Sequence, residues 1–416
     1  MKEFSAWEYL LIDAANNAPF GLDKVTFEER LAWANENLPG LDNSVIMSKE
    51  WKEKPLYVKA VQAIRKAQRG VPTGHLVGFD AVCSGMQLMS VLTGCMAGAK
   101  ATGLVDQDRR ADAYTDCTEI MSRILGRRLE NMRSSVKTAV MTSLYGSKRE
   151  PRNEFGEGTP ELNAFYQAMY ELAPGPCQLL DALINSWKPY ALTHEWKMPD
   201  GFDVRIKVMQ RTEATVSIDE LNGKALTFAW YENQGTKRDV KNAANLVHSV
   251  DAYVLRSLVR RCSYDRTLME EFFYSAEAEL LLRNLQGFEH DPDMGGMHMP
   301  YYLEQYQRSS VADVAIIPHI TSVRAVPSDL LRKLVVIVDS MLAHKPFDVI
   351  TIHDDFKCHP NYMNFLRKHY RNILAEIAES NMLNDLLSQL YGTPIAINKL
   401  SNELGKVIRQ SSYALC

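Results

Sequence analysis

The sequence predicts an α+β chain, mostly helical with a small antiparallel sheet. Three observations carry the expectation. Segments around 5–17, 26–37, 56–69, 108–146, 328–342 and 362–378 read as helices. Two short runs, His75 to Phe79 and Phe347 to Ile352, read as strands, and each leads to a carboxylate, Asp80 or Asp354. Between 199 and 232 the period changes to two: Val204, Ile206 and Val208 alternate with polar residues, as do Leu226, Phe228 and Trp230. Asn222-Gly223 lies between these runs and is a strong turn signal, so one β-hairpin is expected to project from a helical region.

In chain order, Gly21-Leu22-Asp23-Lys24 separates the first two helices. After Asp80 comes a run rich in small residues (Ser84, Gly85, Ser90, Gly94, Ala97, Gly98), expected to be a helix packed close against a neighbour. The segment 108–146 is expected to break near Gly126, with Gly146 as a helix C-cap. Glu270, Glu271, Glu277 and Glu279 lie in an amphipathic helical stretch. His290, Asp291, Asp293 and His298 could ligate a metal, but their spacing fits no known ligand pattern, and a solvated loop is expected. Ser328 is the expected N-cap of the next helix. Phe347 to Ile352 is expected to be a buried strand, with Asp354-Asp355 as its turn.

A chain of 416 residues can form two or three domain-sized units or one large discontinuous fold. Its formal net charge is −4, so a nucleic-acid partner would have to be met by a local basic patch. Residues 121–152 offer one: Arg123, Arg127, Arg128, Arg133, Lys137, Lys148, Arg149 and Arg152 stand against Glu130 and Glu150. The 7 cysteines are odd in number and none pair at zinc-ligand spacing, which points to reduced thiols. With no leader and no run of membrane-spanning length, the expectation is a cytoplasmic protein with no membrane partner.

The chemistry-bearing residues fall in three segments. Asp80 and Asp354 each end an apolar run, and two such carboxylates can hold two Mg²⁺ ions roughly 3.5–4 Å apart. For either aspartate alone a turn cap is the better reading; for both beside the intervening helix it is not. Asp355 ranks second, because a regular strand would point it away from Asp354. Arg133 and Lys137 share one helix face about 6 Å apart along the axis, and together could clamp a triphosphate. Tyr145 would lie roughly 12 Å further along the same helix than Lys137, about the span from γ-phosphate to sugar. Metal carboxylates, phosphate-binding cations and a ring at the sugar are what nucleotidyl transfer needs. On spacing alone, a surface helix with i,i+4 cations and a core tyrosine is the better reading.

The order and spelling of these segments resemble the single-subunit RNA polymerases of bacteriophages and mitochondria. The Asp80 segment, Arg133-x3-Lys137-x3-Met141-Thr-x2-Tyr145-Gly146 and His353-Asp354 match that family's three catalytic motifs. So do Gly21-Leu-Asp23-Lys24-Val25, Trp196-x2-Pro199-Asp200-Gly201-Phe202, Asn245-Leu-Val-His248-Ser249-Val-Asp251 and Ser412-Tyr413-Ala414-Leu415-Cys416. The resemblance leaves out about 263–325.

The resemblance implies a right-hand polymerase fold of palm and fingers. The palm would take residues 1–108 and 254–416, with 263–325 inserted, and the fingers 109–253. It implies that Asp80 and Asp354 hold two Mg²⁺ ions and that Lys24, Arg133 and Lys137 contact the incoming ribonucleoside triphosphate. Tyr145 would sense the ribose, His353 support the primer end and Asp23 support Lys24. Gly85 stands where family A DNA polymerases carry a 2′-hydroxyl-excluding glutamate, which favours ribonucleotides, a DNA template and an RNA product. The 199–232 hairpin sits where relatives carry a promoter-reading loop. Val254 replaces a histidine usual in the family. The thumb and N-terminal parts are missing, so a second polypeptide is expected to supply them, as in the split, heterodimeric enzymes of some bacteriophages. The alternatives are a family A-like DNA polymerase and a catalytically inactive nucleic-acid-binding subunit.

Overall fold

A computed structural model of the chain describes residues 1–107, 109–237, 239–287 and 298–416. His290, Asp291 and Asp293 lie outside the described residues. The chain opens with α1 (Ala6–Asn16), α2 (Phe27–Glu36), α3 (Ser44–Met47) and α4 (Lys54–Gln68). Both α1 and α2 begin with a capping box, Ser5 with Glu8 and Thr26 with Glu29, which satisfies amide donors that a helix start leaves free. Then follow β1 (Val77–Asp80), α5 (Ser84–Thr93), α6 (Met96–Ala101), α7 (Ala113–Leu125) and α8 (Arg133–Ser143). Gly126 ends α7 in the left-handed conformation, at the expected break. The helices α9 (Arg149–Phe155), α10 (Pro160–Leu172) and α11 (Pro174–Asn185) complete this half.

The 199–232 expectation needs correction: the region holds two hairpins. Strand β2 (Thr193–Lys197) pairs with β3 (Asp203–Lys207), and β4 (Gln210–Ile218) pairs with β5 (Lys224–Glu232), both antiparallel. Alternation fixes which face a residue takes but not which strand it pairs with. The first hairpin is buried through Trp196, whose Nε1 donates to Ser249 Oγ at 3.0 Å. The second is turned by Asn222 and Gly223, both at positive φ, and leaves Phe228, Trp230 and Tyr231 exposed.

The long α12 (Lys241–Cys262) runs through the core and packs on α5, α11 and α16 (Met363–Glu379). Its buried Arg261 forms a two-pronged ion pair with Glu376 of α16, Nη1 to Oε1 at 2.9 Å and Nη2 to Oε2 at 2.6 Å. Helices α13 (Arg266–Gln286), α14 (Met299–Ser309) and α15 (Ser328–Leu342) enclose a second apolar core with Ile316, Ile317 and Val326. The segment 263–325 therefore carries most of a satellite core. Ser328 is the first helical residue, not the cap; Pro327 holds that place, and Ser328 Oγ accepts from Arg283 Nη1 at 2.9 Å.

Strands β6 (Ile350–Ile352) and β7 (Asp355–Cys358) follow, and α17 (Met382–Tyr391) and α18 (Leu404–Ile408) come after α16. The order β1-β7-β6 makes a three-stranded antiparallel sheet. The run 347–352 is not a buried strand: Ile350 and Ile352 are 48% and 52% exposed, because β6 is an edge strand. All seven cysteines are free thiols. No helix of the described residues is long and apolar enough to cross a membrane.

Candidate active site

The antiparallel ladder of β1 and β7 sorts its side chains by face. Val77 and Phe79 pair with Cys358 and Phe356, all buried. Gly78 and Asp80 pair with Lys357 and Asp355, so these four share the outer face. Asp355 Oδ2 meets Lys357 Nζ at 3.0 Å. The carboxylate lies across Gly78, where an added Cβ would stand 2.7 Å from Asp355 Oδ1.

Asp354 sits in the two-residue turn between β6 and β7, entered through His353 at φ 56°, a conformation uncommon outside glycine. The Ala81 amide donates to the Asp354 carbonyl at 3.2 Å, which ties this turn to the end of β1. Asp80 and Asp354 are thereby neighbours. Burial of its base, then the charges of Asp354 and Asp355, push the Asp80 carboxyl up to about 7, while Lys137 opposes them. The residue still keeps a solvent-exposed face. Strand alternation misjudged Asp355: Asp354 is a turn residue, and Asp355 shares the face of Asp80.

The cationic helix brings Lys137 near enough to Asp80 to oppose the rise of its carboxyl. Arg133 Cζ and Lys137 Nζ both lie 5.6 Å from the centre of the Tyr114 ring, so the two cations share a face over one aromatic floor. Arg133 is held by Asp112, the N-cap of α7, with Nε at 2.9 Å and Nη2 at 2.7 Å from Oδ2. Burial opposes it, but hydrogen bonds from Thr115 and Arg133 hold the Asp112 carboxyl below the usual range. Lys137 is exposed and makes no ion pair among the described residues. Of the basic run, Arg123, Arg127 and Arg152 pair with Glu171, Glu161 and Glu157, so much of its charge is answered within the chain.

Helix α8 stops at Ser143, so Tyr145 lies in the turn after it rather than on the helix, and Gly146 takes φ 89° just beyond. The Tyr145 ring stacks on His248 of α12, with centres 4.8 Å apart and planes 9° apart. A Cβ at Gly85 would stand 3.0 Å from the Tyr145 hydroxyl oxygen. The space over Gly85 is thus filled by that hydroxyl, and a larger residue would displace the ring. Burial pushes the Tyr145 phenol up to about 12.

Asp251 stands near one helical turn beyond His248 and points to the same centre. Burial, then the charge of Asp354, push its carboxyl up to about 6, and His353 opposes them. Val254 is buried in the core, so no polar group from that position reaches the site. Asp23 and Lys24 are exposed on a 3₁₀ turn, Leu22–Lys24, and no ion pair joins them among the described residues. Asp23 instead accepts from Arg30 Nη2 through its carbonyl, at 3.0 Å. Neither residue contacts the Asp80 group through a hydrogen bond or ion pair among the described residues.

The structure therefore gathers Asp80, Asp354, His353, Lys137, Arg133, Tyr145 and Gly85 around one centre, while Asp23 and Lys24 make no hydrogen bond or ion pair to that group among the described residues. It adds Asp112, Tyr114, His248, Asp251 and Lys357. His248 and Asp251 stood in a quoted motif without a role; nothing in the sequence marked Tyr114 or Asp112. The donor set fits Mg²⁺: several carboxylates crowd together, and one of them takes up a proton more readily than it should. No group of three or more His, Cys, Asp or Glu side chains is poised as a metal site among the described residues, so substrate phosphates and water would complete the shell. A cavity of about 850 Å³ opens elsewhere, between α13, α15 and α16, and none of these site residues lines it.

Part of the chain matches known proteins in sequence. The model of the family "DNA-dependent RNA polymerase" matches residues 3–154, the part that carries Asp80, Gly85, Arg133, Lys137 and Tyr145. Through that segment the chain is similar to the DNA-dependent RNA polymerase family. It is 30% identical over 207 residues to DNA-directed RNA polymerase 2, chloroplastic/mitochondrial, of Arabidopsis thaliana, covering 40% of this chain and 20% of the relative. It is 27% identical over 172 residues to the mitochondrial DNA-directed RNA polymerase 1 of the same plant, covering 34% and 18%. The mitochondrial enzyme of Schizosaccharomyces pombe is 27% identical over 151 residues, covering 30% and 13%. The chain spans about a fifth or less of the length of these relatives, all of them organellar by name.

Proposed function

We propose that the chain is the catalytic, palm-and-fingers part of a DNA-directed RNA polymerase that joins ribonucleoside triphosphates on a DNA template. The observation that carries the reading is the placement of Asp80 beside Asp354, faced by Lys137, with the Tyr145 hydroxyl against Gly85. Asp80 and Asp354 hold two Mg²⁺ ions. Magnesium, when bound, supplies an activated 3′-hydroxyl and neutralises the leaving pyrophosphate. Lys137, free of internal pairing, takes the triphosphate as a point charge, and Arg133, steadied by Asp112, offers its remaining guanidinium edge. Tyr145 lies against the ribose, and His353, on the turn beside Asp354, supports the primer end. Lys24, exposed on the 22–24 turn, also contacts the triphosphate in this reading.

Gly85 favours this reading over a DNA polymerase, since the hydroxyl of Tyr145 occupies the place of a bulky side chain. In this reading a second polypeptide works with the chain, and a bacteriophage source would place both in the host cytoplasm. The exposed β4–β5 hairpin contacts promoter DNA. The test is incorporation of labelled ribonucleotides on single-stranded and duplex templates, by the chain alone and with proteins that copurify with it. Template-dependent RNA synthesis is the expected result, stronger with the copurifying protein. Absence of synthesis in both, with intact folding, overturns the reading.

A further inference from the structure

We infer that His248 positions Tyr145 and through it sets discrimination at the sugar. The inference rests on the polymerase reading above and deepens it.

Tyr145 packs against the main apolar core, but no polar contact of its hydroxyl among the described residues orients the ring. It lies past the end of α8, next to Gly146 at φ 89°, where the helix no longer dictates the backbone. Its hydroxyl makes no hydrogen bond among the described residues, so no donor or acceptor fixes the ring's direction. Besides that core, two surfaces define its place. On one side the bare Cα of Gly85 admits the hydroxyl. Against one ring face lies the imidazole of His248, nearly parallel at 9° and with ring centres 4.8 Å apart, within the range of an attractive aromatic pair.

The platform beneath that imidazole is rigid. Val247 and Val250, on either side of His248, are buried at 1% and 0% exposure. Ser249 is pinned by Trp196 Nε1 at 3.0 Å. His248 itself is exposed and makes no hydrogen bond or ion pair among the described residues. A side chain without polar partners, carried on a rigid helix and laid flat on a site ring, is a support for that ring rather than part of the core. Stacking asks only for a flat ring, so phenylalanine should serve and alanine should not.

The test uses the full chain with any protein that copurifies, and measures kcat and KM for ATP and for dATP. In His248→Ala the ratio of kcat/KM values, ribo over deoxy, should fall by about 10-fold. The fall should appear as a weaker response to the ribose and not as an equal loss for both nucleotides. His248→Phe should keep the wild-type ratio within about 2-fold. Both variants should melt with the wild type, since the residue is exposed. An unchanged ratio in an active His248→Ala, or a His248→Phe as impaired as His248→Ala, overturns this inference alone. A folded wild type that joins no nucleotide removes the polymerase reading and takes the inference with it.

Discussion

Two hairpins of this chain share a secondary structure and nothing else. In β6–β7 the second strand has a covered face, with Phe356 and Cys358 at 2% and 0% exposure, and its turn carries His353 and Asp354 against the end of β1. In β4–β5 both faces meet solvent, with Phe228 at 47% and Trp230 at 38% exposure. A covered face specifies register, because a one-residue slip would push Phe356 outward and the carboxylates inward. An uncovered ribbon is held by its own ladder and turn, which are weak alone. The first hairpin is therefore suited to hold charges at fixed positions, and the second to meet another molecule.

The largest effect that would sharpen this contrast is chemical. Asp80→Ala or Asp354→Ala should lower ribonucleotide incorporation at least about 100-fold while the protein still melts cooperatively. Replacing residues 211–231 by a short turn should leave incorporation on a primed single-stranded template within about 3-fold. If trimming β4–β5 were as damaging as losing Asp354, the division of labour between the hairpins would fail.

Next come stabilities. Trp196→Ala, in the buried β2–β3 hairpin, should destabilise by about 3–5 kcal/mol, since it opens a cavity and removes the hydrogen bond donated to Ser249 Oγ. Trp230→Ala should change stability by less than about 1 kcal/mol, as for most exposed substitutions. Urea denaturation of both variants measures the difference, and equal losses would mean that the second hairpin is packed after all.

The smallest effect concerns pH. The Asp80 carboxyl rises from 3.8 to about 7 on folding, so the folded chain holds that proton more tightly than the unfolded one. Its stabilising contribution is complete below 3.8, falls as pH rises through that interval and is gone above about 7. Without divalent metal, Asp80→Asn should therefore melt about 1 °C above the wild type at pH 8 and show no gain at pH 4. A gain at pH 4 instead would mean that Asp80 is not crowded by like charges.

Helix positions were legible in the sequence because each helix carries its own apolar period and often its own cap, as at Ser5 and Thr26. Strand pairing was less so. The alternation of Val204 and Ile206 was visible, but β3 found its partner in 193–197, a segment with no comparable pattern. The apolar run 347–352 looked buried because composition does not reveal that a strand will lie at an edge. In the site, Asp80, Asp354, Lys137 and Tyr145 could be read from order and spelling. Asp112, Tyr114 and His248 could not, since their roles depend on contacts between α7, α8 and α12 that only the assembled fold creates.

The central claim is that Asp80 and Asp354 act together on divalent metal, and Mn²⁺ binding followed by electron paramagnetic resonance in the presence of a ribonucleoside triphosphate tests it most directly. Tight binding by the wild type, lost to a similar degree in Asp80→Asn and Asp354→Asn and no further in the double variant, is the predicted result. Undiminished binding by the double variant would contradict the account.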